Sequence, residues 1–260
     1  EKPRMNKIIC VSNQKGGVGK TTTTNALAMG LRHKGYRVLC VDFDPQGNLS
    51  FSLRADNRVE LQNSIYQVLK GDLKAVQAIQ HTELADVITS NMMLSGIELE
   101  FTGKGREFLL SSALKSVEKL YDYILIDSPP ALGVLTVNAF SASNVILMPV
   151  LSDLYSLQGI VQLNETIEHV RARNNPGLVN AGILLTRFNP RGQINNVIRE
   201  TAADMAKTFN IPLLRTTIRT GVDLTKAQIL RRDMIRYAPK SKAVQDYQRL
   251  LDELFERGVL

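Results

Sequence analysis

Two cysteines are all the sequence contains, and their setting removes several classes of protein at once. Cys10 and Cys40 each lie within or at the end of an apolar run (IIC and VLC), form no CxxC and have no histidine beside them. A cysteine metal site is therefore set aside, in favour of two small buried hydrophobes on strands. Long apolar runs are also missing: nothing approaches the ~18 residues of a membrane span, and no secretory signal is visible. A cytoplasmic setting is expected. Linkers, low-complexity segments and internal repeats are absent as well, which points to one domain over residues 1–260. Met5 is a candidate start, so residues 1–4 stay outside the fold reading.

The 260 residues are 44% hydrophobic and 22% charged, ordinary values for a globular chain. The net charge of +7 is unevenly placed. Between Arg187 and Arg249 there are 13 Lys/Arg against 5 Asp/Glu, and elsewhere 19 against 20. Such a basic quarter is either a solvated surface or a contact for a polyanion such as nucleic acid.

Apolar runs alternate with helical patterns. Strands are expected at 7–12, 37–42, 86–90, 123–127, 145–150, 179–185 and, briefly, 211–214. Helices are expected at 21–34, 106–120, 157–173, 194–209, 222–230 and 241–257, with short ones between 61 and 80. Apolar strands alternating with helices predict an α/β fold: a doubly wound, mostly parallel sheet with helices on both faces.

One stretch carries most of the chemistry: SNQKGGVGKTTTT, residues 12–24. A strand running into glycines and then a helix is a phosphate-binding arrangement, because the backbone N–H groups and the helix N-terminus face the anion. Gly19, Lys20 and Thr21 match the end of the GxxxxGK[ST] pattern, while Gln14 stands where its first glycine belongs and Gly16 and Gly17 supply the flexibility. In this reading residues Lys15, Gly16, Gly17, Val18, Gly19, Lys20, Thr21 and Thr22 surround a nucleotide. Lys20 reaches the β- and γ-phosphates, the Thr21 hydroxyl binds Mg²⁺ and Thr22 donates to the α-phosphate. An ordinary glycine turn would account for neither Lys20 nor Thr21 at their spacing.

The run KGGVGKT resembles the deviant phosphate loop of the ParA/MinD family of ATPases, a P-loop NTPase-like fold. The resemblance implies that Lys15 reaches across a homodimer to the partner's nucleotide, while Lys20 serves its own. It extends to VDFDPQGNLS (41–50), which is similar to the family's first switch segment. By that likeness Asp44 orients the attacking water and Asp42 lies near Mg²⁺. It also extends to YDYILIDSPP (121–130), which resembles a Walker B strand whose Asp127 holds Mg²⁺. Weaker likeness runs through 88–100, 129–140, 156–163 and 237–247, and residues 51–85 match least. The cofactors implied are ATP and Mg²⁺, ATP over GTP by resemblance alone.

Three uses of this fold compete. A ParA-type partition ATPase would form an ATP sandwich dimer, bind non-specific DNA on the nucleoid and be released by a ParB-like partner that stimulates slow basal hydrolysis. Its DNA contacts would be drawn from Arg187, Arg191, Arg215, Arg219, Arg231, Arg232 and Arg236, all to phosphates. Asp223 weakens the basic character beside them, and no separate helix-turn-helix domain is expected before the first strand. A MinD-like membrane ATPase would need a basic amphipathic last helix; here Asp246, Asp252, Glu253 and Glu256 occupy its polar side, so packing on the protein's own core is expected and no membrane contact. An iron–sulfur carrier would need cysteines on other segments. A nucleotide switch or scaffold that positions a protein complex without DNA stays as the alternative to partition.

Overall fold

The computed structural model describes residues 6–189 and 193–260. Seven strands, β1 (Lys7–Val11), β2 (Val38–Asp42), β3 (Ile79–His81), β4 (Asp86–Ile88), β5 (Tyr123–Asp127), β6 (Val145–Leu151) and β7 (Val179–Thr186), form one sheet in the order β3-β4-β2-β5-β1-β6-β7. All pairings are parallel except β3 with β4 at the edge. The helices are α1 (Lys20–His33), α2 (Asn48–Ser52), α3 (Ile65–Lys70), α4 (Ala75–Ala78), α5 (Ile97–Glu100), α6 (Leu109–Leu114), α7 (Val134–Ala142), α8 (Leu154–Arg173), α9 (Gln193–Thr208), α10 (Val222–Ile229), α11 (Met234–Tyr237) and α12 (Lys242–Glu256).

Successive residues of the central strands serve opposite faces, as a period of two requires. Cys10, Val41, Ile124 and Ile126 pack with α3 and α6 to α9. Ile9, Val11, Cys40 and Leu125 pack with α1, α2 and α10 to α12. The two cysteines therefore lie on opposite sides of the sheet, both fully buried. Burial on both faces explains why these strands read as continuous apolar runs. The strand order reverses at β1, between β5 and β6, and in such sheets a crevice opens beyond the carboxyl ends at that point.

Three expectations need correction. The helix expected over 106–120 is broken into a 3₁₀ turn at Arg106–Phe108, α6, and a second 3₁₀ turn at Glu118–Leu120. Its apolar face is as expected, with Leu110, Leu114 and Val117 buried. However, the Ser111 and Ser116 hydroxyls donate to the carbonyls three residues back, competing with a continuous helix. Residues 211–214 make only an isolated bridge, Ile183 to Leu213, with another at Thr186 to Ile218. Ile183 N–H donates to the Pro212 carbonyl and Leu214 N–H donates back to the Ile183 carbonyl, but Pro212 has no N–H with which to extend the pairing. Third, α7 was not expected from its β-branched sequence VLTVNAFSA. Tertiary contacts override propensity there: Asn138 donates to the carbonyls of Arg106 and Val134 and accepts from Leu110 N–H.

Candidate functional site

The loop between β1 and α1 is fixed from both sides. Asn13 donates to the Pro149 carbonyl at 2.7 Å and accepts the Lys15 N–H at 2.9 Å. The Thr186 hydroxyl donates to the Val18 carbonyl at 2.9 Å. Gly17 and Gly19 have φ of 74° and 94°, left-handed values that glycine adopts without steric cost. These ties let the loop curl ahead of the N-terminus of α1. The Lys20 side chain is buried and donates to the Lys15 carbonyl at 2.8 Å. Burial lowers its pKa, and the carboxylates of Asp127 and Asp44 act against that shift. The next three hydroxyls all point to other elements. Thr21 donates to Asp127 at 2.7 Å, Thr22 donates to the Gln228 side chain at 3.1 Å, and Thr23 meets the Tyr247 hydroxyl at 3.1 Å.

The carboxylates come from neighbouring strand ends. Asp42 closes β2 and Asp127 closes β5, and the two are paired in register. Asp42 accepts the N–H and hydroxyl of Ser50, both at 2.7 Å, and the Ser50 hydroxyl in turn accepts Ser90 N–H. Burial pushes the Asp42 pKa up to about 6 against those hydrogen bonds. Asp127 is raised well above the usual carboxylate range, first by burial and then by the charge of Asp42. One Asp127 oxygen is buried with no hydrogen-bond partner. Asp44 is buried at the cleft, with one oxygen accepting Gln46 N–H.

That orphaned oxygen, next to the Thr21 hydroxyl and a second carboxylate, is a donor set suited to a hard divalent cation. No group of three His, Cys, Asp or Glu side chains among the described residues makes an all-protein cage. Mg²⁺ ordinarily takes one or two carboxylates and completes its shell with water and phosphate oxygens, so the arrangement fits it.

Lys20, Thr21, Thr22 and Asp44 open onto a cleft of about 920 Å³. Residues 16–22, Asp44, Arg187, Arg219, Gly221, Gln228 and Tyr247 are among the residues that line it. Lys15 does not line it. Sequence reasoning missed Asn13, Ser50, Gln228 and Tyr247. Ser50 was within reach, because it stands inside the quoted switch segment; Gln228 and Tyr247 carry no local signal.

The six candidate arginines that the structure describes meet different partners. Arg187 and Arg219 line the cleft. Arg219 is held by Asp246 through two bonds, at 2.7 and 3.0 Å. Arg215 pairs with Glu253 and Glu256. Arg231 lies over the Phe51 ring and Arg232 near that of Tyr237. Arg236 is 82% exposed and 3.9 Å from Asp233. Arg191 falls outside the described residues. The polar side of the last helix is also corrected. Asp246 and Glu253 are buried, and they bind the main chain of residues 215, 216 and 219 instead of facing solvent. The apolar side packs on the core as expected, with Leu251 only 2.8 Å from where a Cβ on Gly30 of α1 would stand.

Comparison with known proteins agrees with this geometry. A family model described as an AAA domain matches residues 6–179. The chain is 37% identical over 257 residues to the sporulation initiation inhibitor protein Soj of Bacillus subtilis, spanning 98% of this chain and 100% of that one. It is 38% identical over 256 residues to the chromosome partitioning protein ParA of Myxococcus xanthus, spanning 96% and 88%. Among solved structures, cobyrinic acid a,c-diamide synthase of Mycobacterium smegmatis with bound ADP and magnesium superposes with a TM-score of 0.83 at 32% identity, covering 97% of this chain and 96% of that one. From its phosphate loop, strand-end carboxylates and full-length likeness, this chain belongs to the ParA/MinD family of P-loop ATPases.

Proposed function

We propose that the protein is a Mg²⁺-dependent ATPase of the partition type. It dimerises on binding ATP, binds DNA without sequence preference as that dimer, and is released when a ParB-like partner stimulates a slow hydrolysis. The observation that carries this reading is that buried Lys20, Thr21 with its partner Asp127, and Asp44 meet at one nucleotide-sized cleft. Relatives named for chromosome partitioning match over nearly the whole chain.

Thr21 and Asp127 would hold the cation, with Asp42 behind them; Mg²⁺ neutralises charge on the transferring phosphoryl group. Lys20 leaves the Lys15 carbonyl for the β- and γ-phosphate oxygens. Thr22 exchanges Gln228 for the α-phosphate. Asp44, braced by Gln46 N–H, orients the attacking water. Lys15 stands beside a cleft that it does not line, which supports its action on a partner's nucleotide in the manner of an arginine finger. Exposed Arg232 and Arg236 are better placed than Arg187 and Arg219 to meet DNA phosphates. The setting proposed is cytoplasmic, on the nucleoid; among the described residues no helix is long and apolar enough to cross a membrane.

One solved relative is named as an amide-forming synthase. Release of ammonia by a cysteine nucleophile would require a reactive thiolate. Cys10 and Cys40 are fully buried and their thiol pKa values are pushed up by that burial, so the chain supports no such use.

The test uses Asp44→Ala, expected to trap the ATP-bound dimer. Its binding to non-specific duplex DNA is measured with ATP, with ADP and without nucleotide, across a salt series, with anionic liposomes in parallel. Binding with ATP alone that weakens steeply with salt is the expected result. Absence of DNA binding would overturn the partition reading and leave a nucleotide switch acting on protein or membrane.

A further inference from the structure

The cleft is bridged at its rim by two arginines in an uncommon backbone conformation. Arg54 follows α2 by two residues and Arg231 follows α10 by two, with φ of 63° and 53°. A left-handed residue other than glycine is unfavourable and persists where its surroundings over-determine it. Here the surroundings are each other. Arg54 Nε donates to the Arg231 carbonyl at 2.7 Å. Arg231 Nε donates to the Phe51 carbonyl at 2.8 Å, and its guanidinium lies 5.0 Å from the Phe51 ring centroid. Two cations are thus held together against their mutual repulsion, by bonds to main-chain carbonyls, by one aromatic face and by the Glu83 carboxylate, which accepts from Arg54 at 3.0 Å.

What the bridge joins gives it meaning. On one side, α2 begins four residues after Asp44. On the other, Arg231 N–H is bonded to the carbonyl of Gln228, whose side chain accepts the Thr22 hydroxyl at 3.1 Å. Thr22, Asp44, Phe51, Gln228 and Ile229 all line the cleft. A chain of single contacts therefore runs from the phosphate loop through α10 and the bridge to the segment that carries Asp44.

We propose that Arg231 is a positioning residue. With Arg54 it forms a latch that holds the segment carrying Asp44 against α10, and so ties the placement of Asp44 to what occupies the Thr22 hydroxyl. The coupling rests on the nucleotide reading above; the latch itself does not. This use also separates Arg231 from the arginines available to DNA.

The test compares the full chain with Arg231→Ala, Arg54→Ala, the double variant and Phe51→Leu, which keeps the carbonyl but loses the ring. Amide hydrogen exchange is followed without nucleotide, then mant-ATP affinity and turnover with Mg²⁺. Either single arginine change is expected to lower protection across residues 45–55 by about tenfold. The double variant should match the singles to within about twofold, since one latch is lost once. Phe51→Leu should fall between. Turnover should drop while mant-ATP affinity is nearly kept, a split that mere loss of surface packing would not give. Unchanged exchange over 45–55, or losses that simply add, would overturn the latch. If the unaltered chain fails to bind mant-ATP, the nucleotide reading and the coupling fall together, and the exchange measurement still decides the latch.

Discussion

The ammonium of Lys20 donates to the main-chain carbonyl of Lys15 at 2.8 Å, so the two lysines of the phosphate loop are already joined, one side chain to the other's backbone. The bond keeps a buried cation partnered. It also leaves the Lys15 side chain free of that duty. Replacing Lys20 by Ala removes the buried cation of the loop, at a cost of about 3 kcal/mol of charge-assisted contacts, or roughly a hundredfold in ATP affinity. Equilibrium binding of mant-ATP measures this. Affinity kept within a few-fold of the unaltered protein would remove the phosphate-loop assignment.

Lys15→Gln should behave differently, because Lys15 does not line the cleft of its own chain. Its N–H, bonded to Asn13, and its carbonyl, bonded to Lys20, survive the change. Binding of mant-ATP is therefore expected to stay near that of the unaltered protein while ATP-dependent dimerisation is lost. Sedimentation velocity with and without ATP decides between them. A variant that still dimerises on ATP rules out the trans role of the side chain.

Much of this was readable in advance, and the unreadable part has a physical pattern. The KGGVGKT loop, Asp42, Asp44 and Asp127 are legible because strand ends and glycine spacing are local. The partners that position them are not local. Gln228 lies 206 residues from Thr22, Tyr247 lies 224 from Thr23, and Arg231 lies 180 from Phe51. The last helix makes the same point. Its apolar face was read correctly, whereas Asp246 and Glu253 looked like a solvent face until the loop at 215–219 arrived to pair with them. Charge count along the chain likewise says nothing of which guanidinium finds a buried carboxylate, as Arg219 does with Asp246.

Asp127→Asn offers a case in which function and stability part. The Asp127 carboxyl is held well above its usual pKa by burial and by Asp42. A neutral amide of the same shape can still accept the Thr21 hydroxyl. Without nucleotide the variant is expected to unfold at a midpoint no lower than the unaltered protein, since a buried, poorly paired carboxylate contributes little to stability. The dependence of nucleotide binding on Mg²⁺ should be lost. Thermal melts and mant-ATP titrations with and without Mg²⁺ measure the two effects. A strongly lowered midpoint would mean that the carboxylate holds the fold instead of the cation.

Glu253 gives the opposite sign. Its two oxygens accept the N–H groups of Arg215 and Thr216, each at 2.8 Å, and the Arg257 guanidinium is 3.1 Å away. Burial pushes its pKa up, but these donors outweigh burial and hold it below the ordinary range. A carboxyl with a depressed pKa stabilises the fold above its unfolded value of about 4.3 and loses that contribution as pH falls through the folded value. Glu253→Gln turns an amide N–H₂ toward one of the two main-chain donors, which should cost about 1–3 kcal/mol near neutral pH. The gap between variant and unaltered protein should then close below about pH 4 as the glutamate itself takes up a proton. Urea unfolding from about pH 2.5 to pH 8 is the measurement. A gap of constant size across that range would show that packing, not the charge of Glu253, holds the 215–219 loop on α12.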